Sequence, residues 1–492
     1  MKPKTSIRQC RNKQFFIICS LLFSMMLASC SDDDNGSGAT RLAVQRNSTE
    51  ISELKFSIAA GSAMIGIVSD GDWTAESSDT SWCRLQVHAG YGLPDSTRAS
   101  YTRVSVTKNQ GDSPRSATIT VNAGGLSRSV TVTQNGMGTD PGDTFMSSFT
   151  LVENMKIGYN LGNTLESNPT GSWWNPVGKS PQAWEQQWGQ PVTTQKIIDA
   201  IAEKGFNVIR IPVTWGVHCD ENDQIDEAWM NRVQQVVDMV LTANCYCILN
   251  VQHDTGAADN RWLYADMDDY PAISERFKKI WQQIATRFRD YDDHLVFEAF
   301  NEILSKANEW GDPADATCYE AVNRLEQDFV DVVRATGGNN EFRNLMVNPY
   351  SAGSTQAKLD GMQLPTDVHS NHLLCSVHSY DPYWFCNDTD DKDAQQYYIN
   401  IFDRSCQEEI DAIFTRIHKR FAEDFGVAYF FGEFGAIGTH PGMGERIKYA
   451  QYMMKKFREY GTTGLWWMGL LERRMLNWYE SEIVDALMAG ME

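Results

Sequence analysis

Glu302 and Glu433 are the two residues whose type and setting most directly suggest chemistry. Glu302 ends the apolar run LVFEAFNE, and Glu433 lies within the run VAYFFGEF. Two carboxyl groups on opposite walls of one cleft suit the hydrolysis of a glycosidic bond, because one donates a proton to the leaving oxygen and the other acts on the opposite face of the sugar. Retention of configuration would place them about 5–5.5 Å apart, and inversion about 6.5–9.5 Å.

Other polar residues also interrupt or end apolar runs. A buried polar group is costly unless it is hydrogen-bonded, so one such interruption could be purely structural. Several interruptions in different runs instead favour one shared site. The residues concerned are Arg210, Gln252, His253, Asp254, Asn301, His378, Ser379 and Tyr380, with Trp466 and Trp467 in a further run.

Residues 144–492 contain the elements that must position these side chains. Strand-like and helix-like patterns alternate there, and eight apolar strand candidates precede amphipathic segments such as TTQKIIDAIAEKG. The candidates are residues 155–161, 206–213, 246–252, 295–302, 344–351, 373–380, 427–434 and 463–469. Apolar strands that alternate with helices predict a (β/α)8 TIM barrel of the α/β class, in which chemistry occurs at the C-terminal ends of the strands.

Residues 46–135 have a different pattern. Short runs such as TRVSVTK, SATITVN and SRSVTVTQ alternate with period two between turn residues, which predicts a small all-β, Ig-like sandwich. Its tryptophans, Trp73 and Trp82, are expected to fill the core rather than to bind sugar. Residues 30–45 are predicted to be a flexible tether, and the Gly/Pro-rich residues 136–143 a linker.

Residues 1–29 have the pattern of a signal peptide, with basic residues before the apolar run FFIICSLLFSMMLA. The sequence LASC at the end of this run resembles a bacterial lipobox, which implies that Cys30 is acylated. The following SDDD is similar to the export signal of Bacteroidetes surface lipoproteins. We therefore expect a lipid-anchored protein exposed on the cell outer membrane. The alternative is a cleaved secretory signal with an incidental cysteine.

The amino-acid composition limits the classes of ligand that the protein is expected to bind. The 43 Lys+Arg against 64 Asp+Glu give a net charge of −21, which argues against a nucleic-acid partner. The 15 Trp, 18 Tyr and 22 Phe favour a neutral ligand with stackable faces, such as a sugar. The 11 cysteines include no CxxC pair and no zinc-type spacing. No metal and no cofactor are predicted, and a monomer is expected.

The motifs of residues 144–492 support a family resemblance when they are taken together. GYNLGNTLE, VIRIPVTW, NVQHD, FEAFNE, VHSYDPYW, FGEFG and GLLERRMLNWYESEIVDAL resemble glycoside hydrolase family 5 of clan A, most closely its subfamily 4 of endo-β-1,4-glucanases and xyloglucanases. The pair NE on the fourth strand with GEFG on the seventh is a specific combination. Residues 46–135 resemble the BACON domain, an Ig-like module that often precedes glycan-degrading domains.

The resemblance implies a retaining double displacement. Glu302 matches the general acid/base and Glu433 the nucleophile. Arg210 and Tyr380 would donate hydrogen bonds to the carboxylate of Glu433. Asn301 matches the residue that binds the sugar 2-hydroxyl, an interaction that strengthens in the transition state.

Further residues are expected to bind substrate. His378 matches a histidine that lines the site, and Trp467 matches an aromatic platform. Because neighbouring strand residues face opposite sides, only one of Trp466 and Trp467 should meet the sugar. Tryptophans on loops at the mouth are either sugar platforms or contacts that hold the loops together. The remaining predicted substrate-binding residues are Asn163, Trp173, Trp174, Gln252, His253 and Trp384.

Two departures from the family pattern bear on the substrate. Gln252 replaces a usual histidine, and Met468-Gly469 replaces Asp/Glu-Asn-Gly, which shortens a loop and opens the cleft to a branched polymer. We therefore expect an endo-β-1,4-glucanase with xyloglucan as the favoured substrate. Cellulose, mixed-linkage glucan and mannan are the competing substrates, because clan members share their catalytic residues. A non-catalytic glycan-binding lipoprotein would not need both glutamates.

Overall fold

The computed structural model describes most of the chain. The described residues are 39–46, 49–56, 61–93, 99–107, 109, 111, 113–136, 145–168, 180–258, 260–467 and 469–491. The predicted signal peptide with Cys30, most of the tether and linker, and Trp173, Trp174 and Met468 lie outside these residues. Within the described part, no helix combines the length and apolar character needed to cross a membrane.

Two five-stranded sheets form the N-terminal sandwich. Its strands are β1 (Leu42–Arg46), β2 (Thr49–Glu50), β3 (Glu53–Phe56), β4 (Gly61–Ser69), β5 (Trp73–Ser77), β6 (Cys83–Leu85), β7 (Ala89–Gly90), β8 (Ser100–Val106), β9 (Arg115–Ala123) and β10 (Leu126–Gln134). The first sheet has the order β2-β1-β4-β8-β6 and the second the order β3-β10-β9-β5-β7. Only β3 and β10 pair in parallel; the other pairs are antiparallel.

The core of the sandwich contains both tryptophans. Every second residue of β9 is buried, as period-two alternation predicts. Trp73 is 2% exposed and Trp82 is 4% exposed, and both pack in the apolar cluster between the sheets. The prediction that these two tryptophans fill the core is therefore confirmed.

The predicted boundary at residues 45 and 46 is wrong. The structure begins β1 at Leu42, and Leu42 and Val44 are both buried against the second sheet. β1 also pairs with β4 over four residues. Residues 42–45 therefore belong to the sandwich and not to the tether, because their two alternating apolar side chains supply part of its core.

The barrel is closed and has eight parallel strands, as predicted. The strands are β11 (Gly158–Asn160), β12 (Val208–Ile211), β13 (Tyr246–Asn250), β14 (Leu295–Glu298), β15 (Leu345–Val347), β16 (Leu373–Ser379), β17 (Ala428–Phe434) and β18 (Gly464–Trp466). A small hairpin of β19 (Leu471–Glu472) and β20 (Asn477–Trp478) follows the last barrel strand.

Helices cover the outside of the barrel. They are α1 (Ser148–Asn154), α2 (Pro181–Glu185), α3 (Gln195–Lys204), α4 (Glu227–Thr242), α5 (Tyr270–Arg287), α6 (Thr317–Ala335), α7 (Gln356–Gly361), α8 (Tyr383–Cys386), α9 (Arg404–His418), α10 (Met443–Tyr460) and α11 (Ser481–Ala489). The long helices are amphipathic: in α6, for example, the buried residues recur at three- and four-residue spacing. Their apolar faces pack on the outward-facing strand residues.

The barrel interior is apolar near the N-terminal ends of the strands, called the lower side here, and polar near their C-terminal ends, called the upper side. The lower layer contains the apolar side chains of Val208, Tyr246, Ile248, Val296, Met346, Leu374, Ala428, Phe430 and Leu465, with residues of α1 packed against them from below. Two positions further along six strands, the residues that face inward by alternation are polar. These residues, called the upper polar layer below, are Asn160, Arg210, Asn250, Glu298, Asn348 and Ser376. The sequence thus places its polar interior residues at the C-terminal ends of the strands.

The sandwich lies at the other end of the barrel. Arg103 and Ser105 of β8 line one crevice together with Asn154, Lys156 and Asn207, which lie before or at the N-terminal ends of barrel strands. Burial, together with the nearby charge of Arg103, lowers the pKa of Lys156. The N-terminal domain is therefore remote from the upper polar layer.

Candidate active site

Arg210 is the centre of the upper polar layer. Its Nε donates to Glu298 Oε2 (2.6 Å) and its Nη2 to Glu298 Oε1 (3.2 Å) and Asn301 Oδ1 (2.9 Å). Its Nη1 donates to Glu433 Oε1 (2.8 Å) and Asn160 Oδ1 (3.0 Å). All five N–H groups of the guanidinium are thus used. Burial disfavours the cation, but Glu298 and Glu433 outweigh it and raise the pKa of Arg210.

Glu433 is held from two sides. Its Oε1 accepts from Arg210, and its Oε2 accepts from the hydroxyl of Tyr380 at 2.8 Å. Burial, followed by the charges of Glu433 and Glu302, raises the pKa of Tyr380 well above its usual value, so this hydroxyl remains a donor. Two donors thus fix the orientation of the Glu433 carboxyl group.

Glu302 has a different environment. Its side chain is 19% exposed, whereas that of Glu433 is 6% exposed. Its Oε1 lies 2.8 Å from Nδ1 of His378. One oxygen of Glu302, one oxygen of Glu433 and one ring nitrogen of His378 all lie within 4.8 Å of one another. Burial disfavours the imidazolium of His378, but the two glutamates outweigh this effect and raise its pKa.

Local irregularities aim the two glutamates at each other. The register of β17 shifts between Phe431 and Phe434, so Gly432 and Glu433 both face inward while Phe434 packs outward. Such a bulge re-aims a side chain that regular alternation would turn away. On the fourth strand, Asn301 continues past β14 and donates its N–H to the carbonyl of Val251 at 2.8 Å. This bond holds the segment that carries Glu302.

Trp466 does not line the site, so its prediction as a substrate-binding residue is corrected. It is 1% exposed and packs edge-on against Phe434, at 5.3 Å between ring centroids. Leu465 faces the barrel interior, so alternation turns Trp466 outward and Trp467 inward at the mouth. Trp467 is partly exposed. The expectation that one of the two packs outward is therefore confirmed for Trp466, and contact of Trp467 with a sugar stays a prediction.

The three polar residues that follow β13, Gln252, His253 and Asp254, make different contacts. Gln252 is 1% exposed, and its side-chain oxygen accepts from Asn250 at 2.6 Å. His253 packs edge-on against Trp188, and burial lowers the pKa of His253 to about 4. Asp254 accepts hydrogen bonds from two backbone N–H groups and one indole N–H, so it holds loops together. The bond from Asn250 therefore occupies one of the two acceptor positions of the Gln252 oxygen and fixes the side chain.

Asn163 lies in the loop after β11. Its φ is 59°, in the left-handed region that asparagine tolerates, and its backbone N–H donates to the side chain of Glu166. The Asn163 side chain is partly exposed at the same end of the barrel as Glu433. Burial raises the pKa of Glu166 to about 7. The loop therefore depends on a buried carboxyl group for its shape.

Comparison with known proteins identifies the family. Residues 168–469, more than half of the chain, match the family described as Cellulase (glycosyl hydrolase family 5). The chain belongs to glycosyl hydrolase family 5. Residues 71–135 match BACON, described as a putative binding domain, N-terminal. The enzyme is thus a glycoside hydrolase with a BACON domain before its barrel, as the sequence predicted.

Three relatives illustrate the similarity. The cellulase/esterase CelE of Acetivibrio thermocellus is 36% identical over 365 residues, which are 70% of this chain but only 40% of CelE. A family 5 enzyme of Prevotella bryantii B14, solved with the xyloglucan tetradecasaccharide XXXGXXXG, is 38% identical with a TM-score of 0.65 over 71% of this chain and 99% of its own. A Bacteroides ovatus GH5 xyloglucanase, solved with a XXXG heptasaccharide, is 26% identical with a TM-score of 0.63 over 92% of this chain and 100% of its own.

Sequence reasoning missed two members of the family 5 site. Glu298 and Asn160 both bind Arg210 and are both fully buried. Each lies two positions after an inward-facing residue of its strand, and Glu298 is a charged residue inside the apolar run LVFEAF. Arg210 was selected because it is a polar residue inside an apolar run, and the same criterion would have selected Glu298.

An aromatic platform forms on the loop after β16. Trp384 packs edge-on against Tyr383 (5.1 Å) and tilted against Tyr397 (5.4 Å), and both tyrosines are more than half exposed. His440 fixes the loop, because one of its ring nitrogens lies 2.9 Å from the carbonyl oxygen of Trp384 and the other lies 2.7 Å from Asp388. Asp388 also accepts from the backbone N–H and the hydroxyl of Thr439, so it helps to hold this loop in place.

Two groups of carboxylates and histidines lie close enough together to be considered as metal ligands in the described part of the chain. In one, Asp292 and Asp293 surround His294; burial disfavours the charged ring, but the two aspartates outweigh it and raise the pKa of His294 to about 10. This group is an ion-pair cluster at the N-terminal end of β14. The other group is the active site, where Arg210 and Tyr380 already occupy oxygens of Glu433.

Proposed function

We propose that the enzyme is a retaining endo-β-1,4-glucanase that hydrolyses plant cell-wall β-glucan, with xyloglucan as its preferred substrate. The observation that carries this proposal is the short separation of Glu302 and Glu433: one oxygen of each lies within 4.8 Å of the other and of one ring nitrogen of His378. Inversion needs about 6.5–9.5 Å between the carboxyl groups, to leave room for a water molecule. The compact arrangement favours the retaining mechanism.

In the proposed first step, Glu433 attacks the anomeric carbon while Glu302 gives its proton to the leaving oxygen. The glycosidic bond breaks and an ester to Glu433 forms. In the second step, Glu302 accepts a proton from water, the water oxygen bonds to the anomeric carbon, and the ester bond to Glu433 breaks. The sugar is released with its original configuration, and both glutamates return to their starting forms.

Asn301 is placed to assist both steps. Its oxygen accepts from Arg210 at 2.9 Å, which leaves the amide NH₂ group to donate elsewhere. In the proposed mechanism this group donates to the sugar 2-hydroxyl, and the bond strengthens as the oxocarbenium-like transition state develops. Tyr380 and Arg210 stabilise the Glu433 carboxylate when it leaves the sugar.

The relatives and the aromatic platform support the choice of xyloglucan. The Prevotella and Bacteroides structures are described with xyloglucan oligosaccharides. The exposed rings of Tyr383 and Tyr397 beside Trp384 offer stacking faces at the mouth, and stacking tolerates branched sugars. Related enzymes also include a lichenase and broad-specificity endoglucanases, so mixed-linkage glucan is the main competing substrate.

We expect kcat/KM on xyloglucan to exceed that on an unsubstituted soluble glucan by roughly tenfold or more, equivalent to about 1.4 kcal/mol of transition-state stabilisation. The Tyr397→Ala variant should lose more activity on xyloglucan than on the plain glucan, because it removes an exposed stacking face. Tyr91→Ala, the same change at another exposed tyrosine in the remote sandwich, is the matched control. Comparable constants for the two polymers, or a preference for mannan, would show that the substrate assignment is wrong.

The BACON domain is proposed to be a spacer that does not bind the substrate. Its tryptophans are buried, and the domain lies at the end of the barrel away from Glu302 and Glu433. A chain that begins at Asp143 should therefore keep full activity on soluble xyloglucan. The separate fragment 42–135 should migrate normally in affinity gels that contain xyloglucan or cellulose. Retardation in either gel would contradict the spacer role.

The enzyme is also proposed to be anchored to the outer membrane through lipid on Cys30. The support is the LASC sequence after an apolar run of signal type. Labelled palmitate should be incorporated into the protein in cells and should fractionate with it in the outer membrane. Cys30→Ser should abolish the labelling, whereas Cys10→Ser should not. Labelling that survives Cys30→Ser would refute the anchor.

A further inference from the structure

One side of the upper polar layer is incompletely hydrogen-bonded. Both side-chain atoms of Asn348, the hydroxyl of Ser376 and Nε2 of His378 are buried without a hydrogen-bond partner among the residues that the structure describes. Asn348 and Ser376 are 0% exposed, and His378 is 7% exposed. In the same layer, Arg210 and Glu298 are fully paired with each other and with their neighbours. The unpaired groups of this layer therefore lie on one side of the barrel, at the end of β15 and on β16, beside Gly432 of β17.

Gly432 brings two of these groups to one point. A Cβ atom at Gly432 would lie 2.5 Å from Ser376 Oγ and 3.0 Å from His378 Nε2. The two atoms are not hydrogen-bonded to each other, although both border the space that a side chain at position 432 would occupy. Hydrogen bonds of about 2.8 Å from one water molecule could span such a gap.

Asn348 lies next to the same point. The register pairs Val347 of β15 with Cys375 of β16, so continuing it by one residue places Asn348 beside Ser376. Met346 and Leu374 face the interior, and alternation turns Asn348 and Ser376 the same way. A buried asparagine amide can donate two hydrogen bonds and accept two, so an unsatisfied one is costly.

We propose that Asn348, Ser376 and His378 form an internal water-binding site beside Gly432, next to the ring nitrogen of His378 that does not face Glu302. Buried waters in proteins typically make about three hydrogen bonds to polar groups that would otherwise be unsatisfied. Asn348, Ser376 and His378 supply those partners. The proposed ligand is water, because water can donate as well as accept and the three side chains offer both donors and acceptors.

The water has a consequence for catalysis that rests on the proposed role of Glu302. The Nδ1 atom of His378 lies 2.8 Å from Glu302 Oε1, and the proposed water is the partner of the other ring nitrogen, Nε2. With both ring nitrogens bonded, the imidazole is held in one orientation against Glu302. His378 is thus a positioning residue that holds the carboxyl group of Glu302 in place. The charged and titratable groups around the imidazole are Glu302, Glu433, Arg210 and Tyr380.

A crystal structure tests the water site without reference to activity. The full-length enzyme should show an ordered water within about 2.6–3.2 Å of both Ser376 Oγ and His378 Nε2. Ser376→Val should remove that water, because its methyl groups fill the space. Cys375→Val makes a similar change on the opposite face of the same strand and should keep the water. Absence of the water from the unaltered enzyme, or its persistence in Ser376→Val, would overturn the proposal.

Kinetics test the effect on Glu302. Ser376→Val should lower kcat/KM about tenfold on xyloglucan, a part of the ~10²–10⁴ that general acid catalysis contributes. On an aryl glycoside with an activated leaving group, which needs no proton, the loss should be less than about twofold. Cys375→Val should change neither constant. Equal losses on both substrates would refute the link between the water and Glu302.

Two further variants keep the outcome interpretable. If Ser376→Val does not fold, Ser376→Ala, which removes one partner of the water without filling its space, should show a smaller loss with the same substrate dependence; no such dependence would count against the proposal. Glu302→Ala distinguishes the proposed acid role of Glu302 from the proposed water site. If it loses activity equally on both substrates, the proposed function fails, whereas the water seen by crystallography would still stand.

Discussion

Replacing Glu433 by alanine is expected to abolish hydrolysis of every substrate, because no other group can form the glycosyl ester. The loss should extend to activated aryl glycosides, whose departure needs no acid. The fold should survive, since Glu298 still pairs with Arg210 through two hydrogen bonds. Release of reducing ends measures the activity, and thermal unfolding checks the fold. Glu408→Ala, a change of the same type on the surface of α9, is the control.

Glu302→Ala should behave differently in the same assays. Loss of a general acid costs about 10²–10⁴-fold on polysaccharide, but an activated leaving group departs without a proton. The value of kcat/KM on such an aryl glycoside should therefore stay close to that of the unaltered enzyme. If Glu302→Ala and Glu433→Ala lost activity to the same extent on both substrate types, the assignment of acid and nucleophile would be wrong.

Glu298→Ala is expected to be the most destabilising single change in the site. It removes the carboxylate that accepts from Arg210 Nε and Nη2, and it leaves a fully buried cation with one counter-charge. Breaking a buried ion pair typically costs about 3–5 kcal/mol of unfolding free energy. Urea denaturation measures that loss. The folded fraction should also have a lower kcat, because Arg210 can then shift towards Glu433 and reduce its nucleophilicity.

A second buried ion pair provides the matched control. Arg232 donates to Glu185 through Nε (2.9 Å) and Nη2 (3.0 Å), and both side chains are nearly inaccessible to solvent. This pair joins α2 to α4, outside the barrel strands. Glu185→Ala should reduce stability to a similar degree and leave the kcat of the folded fraction unchanged. A stable Glu298→Ala enzyme, or equal kinetic effects of the two changes, would contradict the role given to Glu298.

The barrel and its polar residues could be predicted because both depend on local patterns. Buried parallel strands are apolar almost throughout, so Arg210 and Glu433 stand out as interruptions. Trp466 and Trp467 could be separated by alternation alone, but alternation does not say which of them faces inward. That choice follows from Leu465, which packs inside the barrel in the structure.

Other features depend on contacts between distant residues and could not be predicted. The inward direction of Glu433 requires a register shift in β17 that no residue pattern announces. The platform on the β16 loop depends on His440, which reaches back to Trp384 and Asp388 from the loop after β17. Water sites of the kind proposed for Ser376 arise only when three strands bring unpaired groups together. Such contacts form only when the barrel closes, so a local residue pattern does not reveal them.

The most direct test of the retaining mechanism is mass spectrometry of the enzyme after incubation with a 2-deoxy-2-fluoro xyloglucan oligosaccharide that carries an activated leaving group. The fluorine slows hydrolysis of the ester, so a covalent intermediate should accumulate. The enzyme should gain the mass of one fluorinated oligosaccharyl group, located on the peptide that contains Glu433. An enzyme that stays unmodified while it still hydrolyses xyloglucan, or a label on Glu302, would contradict it.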